Sequence, residues 1–399
     1  MPVRMESFAT SSSDAESVLD ELRSKFGGDP PQLILVWLTV TFDVDSIRAR
    51  LADYFPRSII AGSTSCMGVM NEKGFFSDQG CALGALALYA DKENVGGVGV
   101  ATGTDRSQAG KLACERAIVS AGRLGELPDF IWMMATPGYE EFYLGCIREY
   151  LGTFVPVFGG SSADNDISGK WKIFDREKTV ADGVLVVAVY SARPPVSSFH
   201  CGYTPTEYRA IATEVKGREV VSLGGEPAAL VYNRWLKGSL GPDSDLANHN
   251  IFSKTTLTPF GRIRSLVSGI PHYLLSHPRA VLADGSISLF SSVREGEELT
   301  MMEGSMFSLR VRAADVGKTL LEREGLEISD IAGALVVFCA GSMLALQSLG
   351  EMAGVVNSLN LALGGIPLLG GFTFGEQGCF LMDESFHGNF MISVTLIRR

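Results

Sequence analysis

The residues best suited to chemistry stand at three glycine-rich turns, each placed directly after an apolar segment. The turns are Gly62-Ser63-Thr64, Gly159-Gly160-Ser161-Ser162 and Gly370-Gly371-Phe372-Thr373. Glycine lets the backbone approach a ligand closely, and free N–H groups beside a hydroxyl suit a carboxylate or a phosphate. The candidate ligand-binding residues are the less standard members of these turns, Ser161, Ser162 and Thr373, together with Glu376, which follows the third turn. The alternative is that a turn used three times serves only as scaffold.

Two more side chains could carry chemistry on their own. Cys339 ends an apolar segment that precedes the third turn, and it completes the set of candidate ligand-binding residues. A thiol there could act as a nucleophile with His387 as base if its pKa were depressed; the alternative is a buried, inert thiol. His200 could be the axial ligand of a haem, since that role needs one histidine and an apolar slot. The alternative for His200 is a partly buried ring that holds a loop.

The spacing of histidines and cysteines argues against a bound metal. The five histidines do not pair at a metal-ligand spacing, and the seven cysteines contain no Cys-x-x-Cys. We therefore predict no metal site, and free thiols in a reducing cytoplasm.

These candidates are positioned by an internal repeat. Three segments, at about 1–90, 95–190 and 301–399, share the order helix, strand, helix, strand ending in the turn, and two closing strands. The apolar runs predict strands such as Leu33–Leu38 and Ala334–Phe338. Buried strands joined through helices indicate parallel, right-handed crossovers. We predict an α/β fold of three repeated β-α-β-β-β type units with mixed sheets, in which the closing pair of strands stays on its own unit's sheet.

Residues 191–300 match none of the three copies. Arg193-Pro194-Pro195 opens this segment, and Asp284-Gly285 marks a hairpin turn within it. We predict an inserted α+β segment between the second and third units. The expected domains are 1–215, with two units, and 216–399, with the insert at about 216–300 and the third unit after it.

Composition excludes several classes of partner. The chain has 34 Lys+Arg and 45 Asp+Glu, giving a net charge of −11, which disfavours nucleic acid and acidic membrane surfaces. Two uncharged runs, 331–350 and 352–375, are long enough to span a bilayer, but they contain Asn357, Asn360 and Pro367. We interpret them as buried α/β core and predict no membrane span. The polar N-terminus shows no signal peptide, which favours the cytoplasm.

The order of several short motifs resembles the FIST-domain family, in both its N-terminal and C-terminal halves. The most specific are Phe338-Cys339, Glu351, the Gly371–Glu376 segment and His387-Gly388-Asn389. One position departs from the family pattern, because Ser342 stands where an arginine follows the cysteine by three. If that arginine binds an anion elsewhere in the family, the resemblance implies a different or weaker ligand here.

The resemblance implies a sensory module for small molecules, amino acids being the usual suggestion. Some stand-alone bacterial members are haem-binding nitric-oxide sensors that act on a partner histidine kinase in a two-component system. The expected function is a non-enzymatic cytoplasmic sensor that signals through a partner protein, with no cofactor assigned. The alternatives are a haem-based nitric-oxide sensor using His200 and a thiol-dependent enzyme using Cys339.

Overall fold

The computed structural model describes residues 3–267, 269–380 and 384–399, and it confirms the mixed α/β fold. The elements of the first unit are β1 (Arg4–Thr10), α1 (Ala15–Phe26), β2 (Leu33–Leu38), α2 (Val44–Tyr54), β3 (Ile59–Thr64), β4 (Val69–Asn71), β5 (Gly74–Phe76) and β6 (Leu83–Tyr89). Those of the second are β7 (Val95–Gly103), α3 (Ala109–Ser120), β8 (Phe130–Ala135), α4 (Glu140–Leu151), β9 (Val157–Ser161), β10 (Ile173–Asp175), β11 (Thr179–Val180) and β12 (Val184–Ser191).

The third unit is split by the inserted segment. It begins with β13 (Val196–Cys201). The insert contains β14 (Tyr203–Lys216), β15 (Glu219–Leu223), β16 (Glu226–Pro227), α5 (Ala228–Trp235), β17 (His249–Asn250), β18 (Phe260–Val267), β19 (Ile270–Ser276), β20 (Pro278–Val281), β21 (Ile287–Leu289) and β22 (Glu298–Gly304), with a short 3₁₀ turn at Asp243–Asp245. The third unit resumes with α6 (Met306–Glu324), a 3₁₀ turn at Ile328–Asp330, β23 (Ile331–Cys339), α7 (Ala340–Ser348), α8 (Met352–Leu363), β24 (Leu368–Thr373), β25 (Glu376–Gly378), β26 (Phe386–Gly388) and β27 (Met391–Arg398).

The predicted central strands are present because their residues are apolar on both faces. All six residues of β2 and all nine of β23 are buried, as expected for strands that are covered on both sides. The parallel pairs β2–β3, β8–β9 and β23–β24 each run through a helical crossover. The opening strands of the first and third units, β1 and β13, were not part of the predicted repeat. β1 pairs only with β6 and alternates between buried and half-buried residues, so it carries no continuous apolar run.

The three sheets exchange hairpins, and this corrects one prediction. The strand orders are β1-β6-β2-β3-β10-β11, β26-β25-β9-β8-β12-β7 and β13-β27-β23-β24-β4-β5. The short hairpin after each turn therefore completes the sheet of another unit. Only the last strand of each unit pairs within that unit's own sheet. The prediction that both closing strands share one sheet was wrong, because pairing between distant segments leaves no mark in local periodicity.

The inner faces of the three sheets meet in one apolar core. Trp37 on β2 and Trp132 on β8 pack edge to face, with ring centroids 6.0 Å apart. A Cβ on Gly371 would lie 2.2 Å from the Trp37 indole, so the glycine gives that ring its space. Helices α1 and α2 cover the outer face of the first sheet, and α3 and α4 cover that of the second.

The insert has its own core, and the apolar runs of the third unit lie within the fold. The antiparallel sheet of the insert has the order β17-β20-β21-β15-β14-β22-β18-β19, and it buries Tyr232, Trp235 and Phe260. The two uncharged runs form β23 with α7 and α8 with β24. Among the helices of the described residues, we find none with the length and apolar character that a bilayer crossing needs.

Candidate functional site

The three glycine-rich turns meet one another at the centre of the molecule. Cys66, just after the first turn, donates its backbone N–H to Phe372 O in the third at 2.9 Å. Ala163, after the second turn, donates to Thr64 O in the first at 2.9 Å, and Ser161 donates to Gly375 O at 2.7 Å. Each turn is thus bonded to both others. These turns form a single junction, which we call the central junction.

The two serines of the second turn are buried inside this junction. Ser161 and Ser162 are both fully buried. The Ser161 hydroxyl donates to Glu140 Oε1 at 2.8 Å, and the Ser162 hydroxyl donates to Ala135 O at 3.1 Å. Both hydroxyl hydrogens are therefore engaged by acceptors within the protein.

Thr373, Glu376 and Cys339 form a second buried group on the other side of the junction. Thr373 Oγ1 donates to Glu376 Oε1 at 2.8 Å, and Met391 N donates to Glu376 Oε2 at 3.0 Å. Burial raises the pKa of Glu376 well above its usual range, although these hydrogen bonds oppose the shift. The Cys339 thiol is also hydrogen-bonded to Glu376. Burial therefore favours the protonated form of this carboxyl.

The Cys339 thiol is not set up as a nucleophile. Burial, and then the Glu376 carboxyl, raise the pKa of Cys339 well above its usual value, although backbone N–H groups of Ser342, Phe390 and Gly341 face the sulfur. A reactive thiol needs the opposite shift. His387, the base considered above, is hydrogen-bonded to Gln377 among the described residues rather than to Cys339.

A cavity of about 170 Å³ opens at the central junction, and we call it the central cavity. Residues from all three units and from the insert line it: Cys66, Asn165, Asp166, Ile167, Phe252, His277, Phe290, Cys339, Ala340, Gly341, Leu344, Thr373, Phe374 and Asn389. Thr373 and Cys339, two of the predicted ligand-binding residues, are among them, whereas Ser161, Ser162 and Glu376 lie behind the wall. Asn165, Asp166, Phe252 and His277 were not anticipated, since no local motif marks them.

The polar ends of the central cavity have opposite electrostatic character. Helix α7 begins at its wall with Ala340 and Gly341, and no side chain caps it with a hydrogen bond. The start of a helix carries a partial positive charge, although here the backbone N–H groups of Gly341 and Ser342 face the Cys339 sulfur. Asp166 lies elsewhere on the wall, where hydrogen bonding by Ser168 lowers the pKa of its carboxyl, so it is ionised at neutral pH. The cavity therefore offers one end to a carboxylate and another to a cation.

His277 and Asn389 hold the wall between those ends. His277 Nε2 lies 2.9 Å from Phe252 O, and because a carbonyl only accepts, Nε2 carries the hydrogen. Burial lowers the pKa of His277 to about 3, so the ring is neutral. Asn389 Oδ1 accepts the His277 backbone N–H at 3.2 Å, and its Nδ2 donates to Phe374 O at 3.3 Å. These bonds join the insert to the third unit.

A separate cluster of charges lies at the start of α4. Arg218 of the insert donates to Glu140 Oε2 at 2.7 Å and to Glu141 Oε2 at 2.6 Å. Burial opposes ionisation of both carboxyls, but the neighbouring His387 ring and Arg218 guanidinium outweigh it. They lower the pKa of Glu140, and they lower that of Glu141 to about 2. Ser292 N also donates to Glu141 Oε1 at 2.7 Å. This cluster fastens the insert to the second unit.

Glu140, Glu141 and His387 come close enough to suggest a metal site. Their ligand atoms lie within 4.8 Å of one another. However, the Arg218 guanidinium already binds both carboxylates and supplies the positive charge that a metal ion would bring. His387 is hydrogen-bonded to Gln377, whose Nε2 lies 3.1 Å from its Nδ1, and its Nε2 lies 3.8 Å from Glu140 Oε1. The cluster is better explained as a buried ion-pair network.

A larger cavity, of about 410 Å³, opens beside this cluster. Its wall includes Glu141 and His387 on one side, and Arg262, Arg264 and Arg294 of the insert on the other. We call it the arginine-lined cavity. Its arginines were not among the predicted site residues, although Arg262 and Arg264 are two apart on a strand and so share a face.

His200 was the predicted haem ligand, and its surroundings fit a haem poorly. Burial, followed by Arg312 and His272, lowers the pKa of His200 to about 3, so the imidazole is neutral, as a ligand must be. Its ring centroid lies only 5.0 Å from that of His272 and 6.4 Å from that of Phe380. These rings take up space that a macrocycle would need, and neither cavity described above is lined by His200.

Comparison with known families identifies the class of protein. The FIST N domain matches residues 32–226, and the FIST C domain matches residues 228–379. The chain is a member of the FIST family, as its motifs predicted. FIST domains are sensor domains of signal transduction. The two matches meet at residues 226–228, and the domain boundaries expected from the repeat stay a prediction.

Other comparisons add little. A search of the curated proteins finds no match. Among solved structures, cyanuric acid hydrolase from A. caulinodans is 14% identical with a TM-score of 0.35, each chain being covered completely. Phosphoribosylformylglycinamidine synthase II from Thermotoga maritima is 10% identical with a TM-score of 0.22, over 99% of this chain and 72% of that one. Likenesses this weak carry no argument about function.

Proposed function

We propose that this FIST protein is a non-enzymatic sensor whose central cavity binds a small carboxylate with an apolar body, an amino acid in the first place. The observation that carries the proposal is that residues of all three units and of the insert line one cavity beside the junction of the three turns. A ligand there would touch segments that are far apart in sequence. Its presence could therefore change how the units and the insert sit against one another.

The size and lining of the central cavity support this ligand class. An apolar cavity of about 150 Å³ holds a molecule the size of benzene, and this one measures about 170 Å³. Phe252, Phe290, Phe374 and Leu344 supply apolar contacts for a side chain. The start of α7 suits the carboxylate, and Asp166 suits the ammonium group.

Two predicted residues would contact the ligand, and three would support it. Thr373 and Cys339 line the cavity in this proposal. Ser161, Ser162 and Glu376 would act indirectly, by fixing the turns and the Thr373 hydroxyl. The described residues of the wall include no arginine or lysine. This agrees with the serine at position 342, so the carboxylate would depend on the partial positive charge at the start of α7.

The signal would leave through a partner protein, either a histidine kinase of a two-component system or another signalling protein. Cys66, Cys81, Cys114, Cys146, Cys201 and Cys339 are free thiols in the structure, which supports a reducing compartment such as the cytoplasm. Nothing in the geometry favours the thiol-dependent enzyme, because the Cys339 pKa is raised. Haem at His200 stays a prediction from the family resemblance. A Soret band in protein expressed with haem, lost in His200→Ala, would establish it.

The ligand class is tested by a matched pair of compounds. We expect L-leucine and 4-methylpentanoate, which lacks only the ammonium group, each to raise the melting temperature of the protein in a concentration-dependent way. Asp166→Asn should weaken the binding of L-leucine about tenfold, while leaving that of 4-methylpentanoate unchanged. Thermal-shift titrations measure both effects.

Asp315→Asn is the control for that substitution, since Asp315 is an exposed residue of α6 away from the cavity. It should bind both compounds as the unmodified protein does. A full set of amino acids and small organic acids that causes no shift would refute the proposed ligand class. Equal weakening of both compounds by Asp166→Asn would refute the assigned role of the carboxylate.

A further inference from the structure

The arginine-lined cavity carries more positive charge than its neighbours neutralise. Arg262 and Arg264 share one carboxylate, that of Glu297, at 3.5 and 2.7 Å. Arg294 makes no side-chain hydrogen bond or ion pair with any residue that the structure describes. Arg148, at the rim, is paired with Glu384 at 3.4 Å, but both side chains are about half exposed, so the pair is weak.

The inner arginines are built into the fold rather than lying on its surface. The Arg262 side chain is only 3% exposed, and it donates to Ser276 Oγ at 2.8 Å and to the Ser292 carbonyl. The buried Nε atoms of Arg262 and Arg264 have no hydrogen-bond partner among the residues that the structure describes. Burial, and then repulsion from Arg264, lower the pKa of Arg262 to about 10. A buried guanidinium held beside another is costly unless an anion compensates it.

The cavity is lined by apolar as well as charged side chains. Arg262 and Arg264 occupy the buried end of the cavity, while Arg148 and Arg294 stand at its exposed rim. The same wall includes the apolar side chains of Leu144, Leu151, Phe154 and Val155. A bare phosphate ion would leave this apolar surface uncovered. The volume of about 410 Å³ also exceeds what a single small ion would fill.

We propose that the arginine-lined cavity is a second binding site, which takes a small dicarboxylate with a hydrocarbon body. One carboxylate pairs with Arg262 and Arg264 at the buried end, and the other pairs with Arg294 at the rim. Guanidinium groups match carboxylates in a two-point geometry, which makes arginine suited to both ends. Glu141 lies in the same wall and forms an ion pair with Arg218 of the insert. A bound ligand would therefore affect the contact between the insert and the second unit. This site does not depend on the central cavity.

The test is calorimetric titration of the full chain with adipate, with hexanoate and inorganic phosphate as comparison ligands. We expect adipate to bind, hexanoate to bind at least about tenfold more weakly, and phosphate not to bind. Arg294→Gln, a substitution at an exposed and unpaired residue, should weaken adipate about tenfold, as the loss of one charged hydrogen-bonding partner does.

Two further variants keep the test decisive. Arg264→Gln should also weaken adipate, whereas Arg234→Gln, which alters an exposed arginine of α5 paired with Glu226, should not. Failure of adipate to bind the unmodified protein would overturn the proposal. Equal binding of hexanoate, binding of phosphate in place of adipate, or unchanged affinity in Arg294→Gln would overturn it as well.

Discussion

Replacing Gly159 by alanine is expected to destabilise the fold by about 3 kcal/mol or more, the upper end of what overpacking costs. A Cβ on Gly159 would lie 1.8 Å from Met133 O and 2.7 Å from the Met133 carbonyl carbon. Both are backbone atoms of the neighbouring strand β8, so they cannot rotate away. Gly159 also has φ of +154°, which residues with a side chain rarely adopt. The change falls in β9, directly before the serines of the central junction.

Guanidinium unfolding followed by circular dichroism measures this loss. Gly138→Ala is the matched control, because Gly138 has φ of +124° but nothing within 4 Å of its would-be Cβ. Its free energy of unfolding should fall only by the strain of placing alanine in that backbone conformation, about 1 kcal/mol or somewhat more. If Gly159→Ala were no less stable than Gly138→Ala, the close approach of the two strands at the junction would be wrong.

Replacing Arg218 by methionine is expected to cost about 3 kcal/mol at neutral pH. Methionine keeps much of the apolar stem but leaves Glu140 and Glu141 without their shared partner. Glu140 is almost fully buried, so water could not solvate its carboxylate in place of the guanidinium. Arg234→Met is the control, because its pair with Glu226 is more than half exposed on both sides and should contribute little.

The pH dependence of that loss separates an ion-pair effect from a packing effect. With Arg218 present, the pKa values of Glu140 and Glu141 are lowered on folding, so the stability they contribute is complete above the unfolded pKa of about 4.3. It is lost as the pH falls towards the Glu141 value of about 2. Without Arg218, burial favours the protonated carboxyls, and acid relieves the unpaired charges. The difference in unfolding free energy should therefore shrink between pH 7 and pH 3; a constant difference would contradict the account.

Much of the fold could be predicted because its signals are local. The continuous apolar runs identified β2 and β23, and repetition of the same order of elements identified three units. The exchange of hairpins could not be predicted in this way. The pairing of β4 with β24, or of β10 with β3, joins segments more than a hundred residues apart, and their alternation would look the same on either sheet.

The site was predictable only in part, for a related reason. The turns and Cys339 stand out by type and position, and the structure does bring the turns together. The sequence did not mark Asp166, or the ion pair of Glu140 with Arg218, as part of a site. An acidic residue in a loop or at the start of a helix usually faces water. Only the tertiary fold shows that Arg218, some eighty residues away, reaches that helix start.

The central claim is that a small ligand occupies the cavity where the three turns meet, and calorimetry on a blocked cavity tests it most directly. Leu344 lines the cavity mouth and is 40% exposed, so Leu344→Trp adds bulk there without overpacking the core. Leu361→Trp is the matched control, at a residue of α8 that is 88% exposed and outside the cavity wall. We predict that L-leucine and 4-methylpentanoate bind the unmodified protein and Leu361→Trp alike, and bind Leu344→Trp at least about tenfold more weakly. Equal affinity in all three proteins, or no binding to the unmodified protein, would contradict the claim.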